Sequence, residues 1–516
     1  VNLADGLRAS AKRDPGAAAL VFRGRAIPYA ELDELADLCA AAVEGLGVRK
    51  GDRVAVVAGN VPEFVSSFYG ILRTGAVVCP LNVQLTPEEL GYILADSGAR
   101  LAITEVGTLP AVLAVRDRVA ELETVLVIGG PPAPTGTLSL EEALRSAGEP
   151  PAVATEADDL ALIAYTSGTT AAPKGAMLTH GNLVSNLDQL AAVPGLAARP
   201  DDVVLIALPL FHSYALNTAL NLAIRGGACC LLVERFDPGE TLDLITGRAV
   251  TVVVGAPPMF AAWLAAAEAG HGADLSSVRL ATSGAAALPP AVFEAFRSVF
   301  GVTIWEGYGL TEAGPAVTAS PPGEAVKPGS VGPPLPRVEV RLVDTDGEDV
   351  EEEDDPGEIL VRGPNVFAGY WGRPEATAEV LADAWLRTGD VAVRDEDGYL
   401  YLVDRKKDLI IVSGFNVYPK EVEDAIGRHP AVAEVAVVGI PDDRTGEAVQ
   451  AWVVPASGQS VTGEEIEDFL QSLLARFKRP KEIVVVEELP HHVTGKVLRR
   501  ALRGEELLRA EDEAAR

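Results

Sequence analysis

The sequence predicts an α/β fold: a large N-terminal domain built of α/β subdomains with a small β-rich subdomain, followed by a small α+β C-terminal domain. Three observations predict it. The chain has 516 residues, which at roughly 150 residues per domain is room for about three core-sized units. Apolar residues make up 48% and charged residues 23%, enough for a large core and too apolar for wholesale disorder. Strand-like and helix-like periods alternate along the first part of the chain and give way to strand pairs and turns near Gly329.

Taken in order, Ala30–Gly47 reads as an amphipathic helix ended by glycine and Arg53–Ala58 as a buried strand. Val61–Arg73 carries Phe64, Phe68 and Ile71 at i, i+4 and i+7 of a helix, and Ala76–Pro80 is a strand. Thr86-Pro-Glu-Glu opens a helix with a capping box and a proline in its first turn, and Leu101–Thr104 is the next strand. Alternation at this spacing implies parallel strands with right-handed helical crossovers. A second run places strands at Asp202–Leu208, Ala228–Val233, Val250–Gly255 and Val278–Ser283. The long apolar stretch Thr251–Ala269 contains Pro257 and Pro258, so it reads as strand, turn and helix rather than a membrane span. Strand pairs follow at Val338–Val343, Gly357–Arg362 and Asp390–Val403, the last with a turn at Asp395–Gly398, and the acidic segment Asp344–Asp355 reads as a solvated hairpin loop.

The texture changes again at Asp404-Arg-Lys-Lys-Asp408, which divides the chain into domains 1–403 and 404–516. In the latter, helices Pro419–Arg428 and Thr462–Phe477 and strands Val432–Val438, Ala448–Val454 and Ile483–Glu487 are expected.

The chain holds 74 acidic against 43 basic side chains, a formal net charge of −31. That field repels polyanions, which excludes a nucleic-acid partner and requires local cations for any anionic substrate. Cys39, Cys79, Cys229 and Cys230 have no C-x-x-C spacing, as expected of a reduced cytoplasmic protein. The histidines form no helical i, i+4 metal pair, and the N-terminus lacks the basic and apolar regions of a signal peptide.

The segment that carries most chemistry is Tyr165-Thr-Ser-Gly-Thr-Thr-Ala-Ala-Pro-Lys-Gly175, after the apolar strand Leu160–Ala164. Its hydroxyls, glycines and Lys174 would give a polyphosphate a loop of donors and a point charge. It is not a Walker loop, because Pro173 stands where that motif has glycine. The full string resembles the phosphate-binding loop of the adenylate-forming superfamily, which includes acyl- and aryl-CoA synthetases, non-ribosomal adenylation domains and luciferase-like enzymes. Further matches occur in the family's order. They are Gly307-Tyr-Gly-Leu-Thr-Glu312, Thr388-Gly-Asp390, Asp404-Arg405 and Gly495-Lys496.

The resemblance implies an ATP- and Mg²⁺-dependent enzyme that uses coenzyme A. It assigns the nucleotide to Thr166, Ser167, Gly168, Thr169, Thr170, Lys174, Gly284, Ala285, Glu306, Gly307, Tyr308, Thr311, Asp390, Arg405 and Lys496. Tyr308 is expected on adenine, Thr311 on phosphate, Glu312 at Mg²⁺, and Asp390 and Arg405 at the ribose hydroxyls. The catalytic set is Lys496, His212, Thr311 and Glu312. Asp404 is the expected hinge of a mobile C-terminal domain, and Ser413, Gly414 and Phe415 are expected near the pantetheine of CoA.

On the acid side, Leu208-Pro-Leu-Phe-His-Ser-Tyr-Ala-Leu-Asn-Thr218 begins the segment that shapes the acyl pocket, to which His212, Tyr214, Thr218, Gly284, Gly309 and Pro315 are assigned. Amino-acid-activating relatives carry aspartate where His212 stands, which disfavours amino-acid substrates. The wording around Tyr214 is similar to the 4-coumarate:CoA ligase group, whereas Val412–Glu423 is closer to fatty-acyl-CoA ligases. The expected function is ligation of a fatty or arylalkenoic acid to CoA through an acyl-adenylate, with pyrophosphate and AMP released. The alternatives are transfer to a carrier-protein phosphopantetheine or another nucleophile, an amine or other non-CoA acceptor, and a non-catalytic nucleotide-binding homologue. The expected partners are the small-molecule acid, ATP and CoA, with no nucleic acid and no integral membrane segment, in a monomer or homodimer.

Overall fold

The computed structural model describes residues 1–129, 136–166, 173–344, 346–350, 355–405, 408–412, 415–442, 445–471, 473–474, 476–491, 497–499 and 501–502. The chain divides into two compact units, Val1–Glu339 with Val361–Leu386, and Val340–Leu360 with Arg387–Arg516.

In the first unit, Ala18–Phe22 (β1) and Arg25–Pro28 (β2) form an antiparallel hairpin. Then come Arg53–Val57 (β3), Val77–Pro80 (β4), Ala99–Glu105 (β5), Thr124–Ile128 (β6), Leu138–Ser139 (β7), Leu160–Thr166 (β8) and Lys174–Thr179 (β9). They make a seven-stranded sheet in the order β7-β6-β5-β3-β4-β8-β9, parallel except for the β8–β9 hairpin. Helices Pro62–Arg73, Pro87–Ser97 and Leu109–Arg116 are the crossovers, the second opened by the Thr86–Glu89 capping box. Ala55, Val57, Ala102 and Val125 pack on Leu90, Ile93, Leu94 and Val112 of those helices, the cover that parallel strands require.

Val203–Ile206 (β10), Cys229–Leu232 (β11), Val252–Gly255 (β12), Leu280–Ser283 (β13), Ile304–Gly309 (β14) and Ala316–Ala319 (β15) form the second sheet, with β1 and β2 on its far edge. That edge is a tertiary choice: β1 lies parallel to β11, Leu20 against Cys230 and Val21 against Leu231. Periodicity predicts strands but not partners, so the first segment feeds the second sheet rather than its neighbours in sequence. Pro257 and Pro258 make no separate turn; they occupy the first turn of helix Pro257–Glu268, where a missing N–H costs nothing. Buried Asn60, in the loop after β3, ties the sheets together: its amide donates to Ile206 O, Leu208 O and Val233 O, and its Oδ1 accepts from Leu210 N at 2.9 Å. Gly255 and Ser283, the last residues of β12 and β13, come into register with Glu306 within β14, at the end of a parallel sheet where ligands bind.

Glu339–Val343 (β16), Gly357–Arg362 (β17), Leu381–Ala382 (β18), Trp385–Arg394 (β19) and Leu400–Arg405 (β20) form a five-stranded sheet in the order β16-β17-β19-β18, with β20 on β19. The chain passes from one unit to the other within β16, β17 and β19.

The second unit also holds Ile410–Val412 (β21), Phe415–Val417 (β22), Val432–Asp442 (β23), Gly446–Pro455 (β24) and Glu482–Val485 (β25), in the order β22-β21-β24-β23 with β25 parallel to β24. Helices Pro419–Ile426 and Gly463–Leu470 cover it through Val422, Ile426, Ile466 and Leu470. The second helix is shorter than the expected Thr462–Phe477. The Arg479 guanidinium donates to Gln471 O and Leu474 O, satisfying carbonyls at the helix end and leaving only a 3₁₀ turn at Arg476–Lys478.

Candidate active site

β14 delivers the sequence Glu306-Gly-Tyr-Gly309 to a tight return: Leu310, a 3₁₀ turn at Thr311–Ala313, then Gly314 and Pro315 into β15. Leu310 N donates to Pro315 O at 2.9 Å, and a Cβ on Gly309 would lie 2.1 Å from that same oxygen, so only glycine closes the turn. The turn presents Thr311 and Glu312. Thr311 Oγ1 is 3.1 Å from Ser213 Oγ. Glu312 Oε1 accepts from the Tyr370 hydroxyl at 2.8 Å, while Glu312 O accepts from Phe367 N.

Tyr370 is itself fixed by backbone pairing against β9: Met177 N donates to Gly369 O and Trp371 N to Gly175 O. Its ring lies under Lys174 Nζ at 5.2 Å. Burial, and next the Glu312 charge, push its phenol well above the usual tyrosine range. Thr166 ends β8 opposite Lys174 and its Oγ1 is 3.5 Å from Lys174 O. The β8–β9 hairpin thus brackets residues 167–172; Ser167, Gly168, Thr169 and Thr170 lie outside the described residues.

Glu306 accepts from Leu288 N at 3.2 Å, and Ser320 N donates to its carbonyl. Gly307 pairs with Ala319, and Tyr308, only 8% exposed, donates through its backbone N to Thr318 Oγ1. Gly284 and Ala285 follow β13, and Ala285 holds the left-handed φ of 71°.

On the other side, residues 214–221 form a π-helix rather than an α-helix, a widened turn frequently found at functional sites. His212 Nδ1 accepts from Tyr214 N at 3.4 Å at its start. The Tyr214 hydroxyl donates to Gly255 O at 3.4 Å, and a Cβ on Gly284 would lie 2.9 Å from Tyr214 Cζ. The hydroxyl end of the ring therefore stands as a wall directly beside Gly284. Burial pushes its phenol up to about 12. The Thr218 hydroxyl donates to Tyr214 O at 2.6 Å, within the helix.

The two sides meet through buried amides that sequence reasoning missed. Asn217 donates to Gly314 O at 2.8 Å, Asn221 donates to Asn217, and the Tyr69 hydroxyl donates to Asn221. From helix His180–Ala192, Asn186 donates to Ala316 O and accepts from Ala316 N. Gln189 donates to Asn365 Oδ1, and Asn365 donates to Ala313 O. Ala313–Ala316 is thus held from both flanks. A signal existed: Asn182, Asn186 and Gln189 recur at i, i+4 and i+7, and Asn217 and Asn221 at i, i+4, amides on faces that should be apolar. Tyr370 had no signal of comparable strength.

In the second unit, Asp390 and Arg405 stand directly opposite in the β19–β20 ladder, with Asp404 opposite Val391. Asp390 N donates to Thr388 Oγ1, and the Thr388 hydroxyl donates to Ile359 O. The β21–β22 hairpin pairs Val412 with Phe415 and brackets residues 413–414. A bridge between His491 and Val497 brackets residues 492–496. Ser413, Gly414 and Lys496, and the side chains of Asp404, Arg405 and Phe415, lie outside the described residues.

Among the described residues no helix is long and apolar enough to cross a membrane. Residues 7–371 match the AMP-binding enzyme family and residues 421–496 its C-terminal domain. A feruloyl-CoA synthase from an Amycolatopsis species is 40% identical over 497 residues, covering 96% of each chain. A long-chain-fatty-acid–CoA ligase of Bacillus subtilis is 37% identical, covering 96% of this chain and 93% of that one. Among solved structures, an anthranilate CoA ligase in complex with anthranoyl-AMP is similar with a TM-score of 0.92 at 32% identity, covering 99% of this chain and 98% of that one. ATP-bound MatB from Rhodopseudomonas palustris has a TM-score of 0.89 at 35% identity, covering 98% and 99%. With a strand-end turn, the β8–β9 hairpin and matching models over both parts of the chain, the protein belongs to the AMP-binding enzyme family of adenylate-forming enzymes.

Proposed function

We propose that the protein is an ATP-dependent carboxylic acid:CoA ligase working through an acyl-adenylate. The observation that carries this reading is the meeting of a polar end and an apolar end at the Ser213–Thr311 contact: Lys174, Tyr370 and Glu312 on one side, the Tyr214–Gly284 wall on the other. A carboxylate oxygen attacks the α-phosphorus of ATP and pyrophosphate leaves; the thiol sulfur of CoA then attacks the acyl carbonyl and AMP leaves. The first step joins two anions, and the second releases AMP and the thiol proton, so charge stabilisation dominates the demand on the protein.

In this reading Lys174, Thr311 and the 167–170 loop bind phosphates, and Glu306, Gly307, Tyr308, Gly284 and Ala285 surround the base. Asp390 and Arg405 hold the ribose, consistent with their cross-strand register. Among the described residues no group of three His, Cys, Asp or Glu could hold a metal. The single carboxylate of Glu312 suits Mg²⁺, which retains waters and takes its remaining ligands from phosphate oxygens. Bound there, the ion would neutralise phosphate charge. Lys496 steadies the carboxylate and α-phosphate during adenylation, and His212 lies beside the carboxylate. Domain 404–516 then turns about Asp404 to bring Ser413, Gly414 and Phe415 to the pantetheine.

The acid is fatty or arylalkenoic, and the Tyr214 ring beside Gly284 favours the aryl class. The free cysteines fit a reducing compartment, and we assign the enzyme to the cytoplasm. The test is acid-dependent pyrophosphate release over a panel of carboxylic acids, with and without CoA. Lys496→Ala should slow adenylation by about 100-fold or more while leaving thiolysis of supplied acyl-adenylate largely intact. Pyrophosphate release without thioester on free CoA would point to another acceptor. No release with any acid would end the enzymatic reading.

A further inference from the structure

We propose that Tyr370 is a positioning residue for adenylation, one side chain that orients Glu312 through its hydroxyl and seats Lys174 on its ring. The inference rests on the functional reading above, because it gives Glu312 and Lys174 their tasks toward Mg²⁺ and phosphate.

Two opposite charges in a site built for a metal–polyphosphate pair have an obvious alternative: they pair with each other. A Lys174–Glu312 ion pair would neutralise both groups before ATP arrived. The geometry instead gives both the same neighbour, Tyr370, met at different parts of its side chain. The ammonium of Lys174 lies 5.2 Å from the Tyr370 centroid, attracted by the ring face. One oxygen of Glu312 accepts the Tyr370 hydroxyl at 2.8 Å, a short charge-assisted bond that leaves the other oxygen's lone pairs for a cation.

Tyr370 is well placed to act as this spacer because it is locked. Its backbone N donates to Thr377 Oγ1 at 2.9 Å, Ala176 bridges it across the edge of β9, and Phe367 meets its ring edge-on at 5.0 Å. The same strand edge starts with Lys174, and the same segment donates Phe367 N to Glu312 O. The spacing between the two charged groups is therefore set by one rigid ring rather than by two flexible side chains.

The experiment compares Tyr370→Phe, which removes only the hydroxyl, with Tyr370→Leu, which removes the ring as well. Acid-dependent ATP–pyrophosphate exchange is titrated with Mg²⁺, and calorimetry measures ATP binding with and without Mg²⁺. Tyr370→Phe should raise the Mg²⁺ concentration for half-activation by about five- to tenfold, within what the loss of one charge-assisted bond can supply. It should weaken binding of MgATP and leave binding of metal-free ATP unchanged. Tyr370→Leu should weaken metal-free ATP as well, by about threefold. In a Glu312→Gln background, Tyr370→Phe should add little.

Wild-type Mg²⁺ dependence and MgATP affinity in the Phe variant, with Glu312→Gln still impaired, would overturn the inference and leave the functional reading standing. Absence of exchange in the wild type with every acid would instead overturn that reading, and the calorimetry would still decide the role of Tyr370. Should Tyr370→Leu fail to fold, the near-isosteric Phe variant carries the test.

Discussion

The turn that carries Thr311 and Glu312 and the helix that carries Tyr214 touch at Ser213, yet they are stabilised by different physics. The turn closes on its own backbone, where Gly309 admits the Pro315 carbonyl and Leu310 N closes the loop, and amides from its neighbours brace it from outside. The helix is a side-chain object, a π-helix tied by Asn217 and Asn221 and terminated by an aromatic ring on Gly284. The lesson is a division of labour. Damage to what the turn carries should appear in the rate of adenylation, and damage to the helix wall in affinity for the acid.

The largest expected effect breaks the turn side alone. Glu312→Gln keeps the shape and removes the charge, so exchange at saturating acid should fall about 100- to 1000-fold with the acid KM within about threefold. A comparable rise in acid KM would show that the two sides are not separable.

The helix His180–Ala192, which braces the turn, carries a pH test of stability separate from chemistry. His180 is buried, its Nδ1 accepts from Leu3 N, and burial pulls its pKa from 6.5 down to about 4 against the raising pull of Asp159. The unfolded chain therefore binds this proton first as pH falls. Stability from this group is full above pH 6.5, declines between 6.5 and 4 by up to about 3 kcal/mol, and is level below. Denaturant titrations at pH 7, 5.5 and 4.5 should show this slope in the wild type and a shallower one in His180→Gln.

Asn186→Ala leaves Ala316 N without its Asn186 acceptor and Ala316 O with only the longer bond from Asn365, and should cost about 1–3 kcal/mol in urea unfolding. The rate should fall with it, since the brace holds the turn. Gly284→Ala is smaller and falls on the other side. Its methyl would press the Tyr214 ring, so the acid KM should rise about tenfold, roughly 1.4 kcal/mol, and by more than the ATP KM, since Gly284 also borders the base. Smallest is Tyr214→Phe, which removes a 3.4 Å bond and should shift stability by less than about 1 kcal/mol while changing the preference among ring-substituted acids. An unaltered preference would argue against the wall as an acid-reading surface.

Much of this was legible before any coordinates. The crossover helices, the Thr86 cap and most strands follow from local period and capping, because those signals act within a few residues. The polar motifs stand in the sequence as residue types suited to phosphate, and two of their members, Glu312 and Lys174, share Tyr370 as a neighbour. Tyr370 was not, because its role exists only where β9 and a segment nearly two hundred residues later lie side by side. The buried amides were half legible: their helical spacing stood in the sequence, but their partners are backbone carbonyls on other elements.

By itself, then, the sequence determined the alternation of strands and helices, the family, and the inventory of groups for charge and phosphate. Each of these depends on local covalent geometry or on residue type. Tertiary structure decided that β1 joins the second sheet, that residues 214–221 widen into a π-helix, and that a tyrosine stands between a lysine and a glutamate. Those outcomes depend on which distant surfaces exclude water together, and no local pattern encodes that.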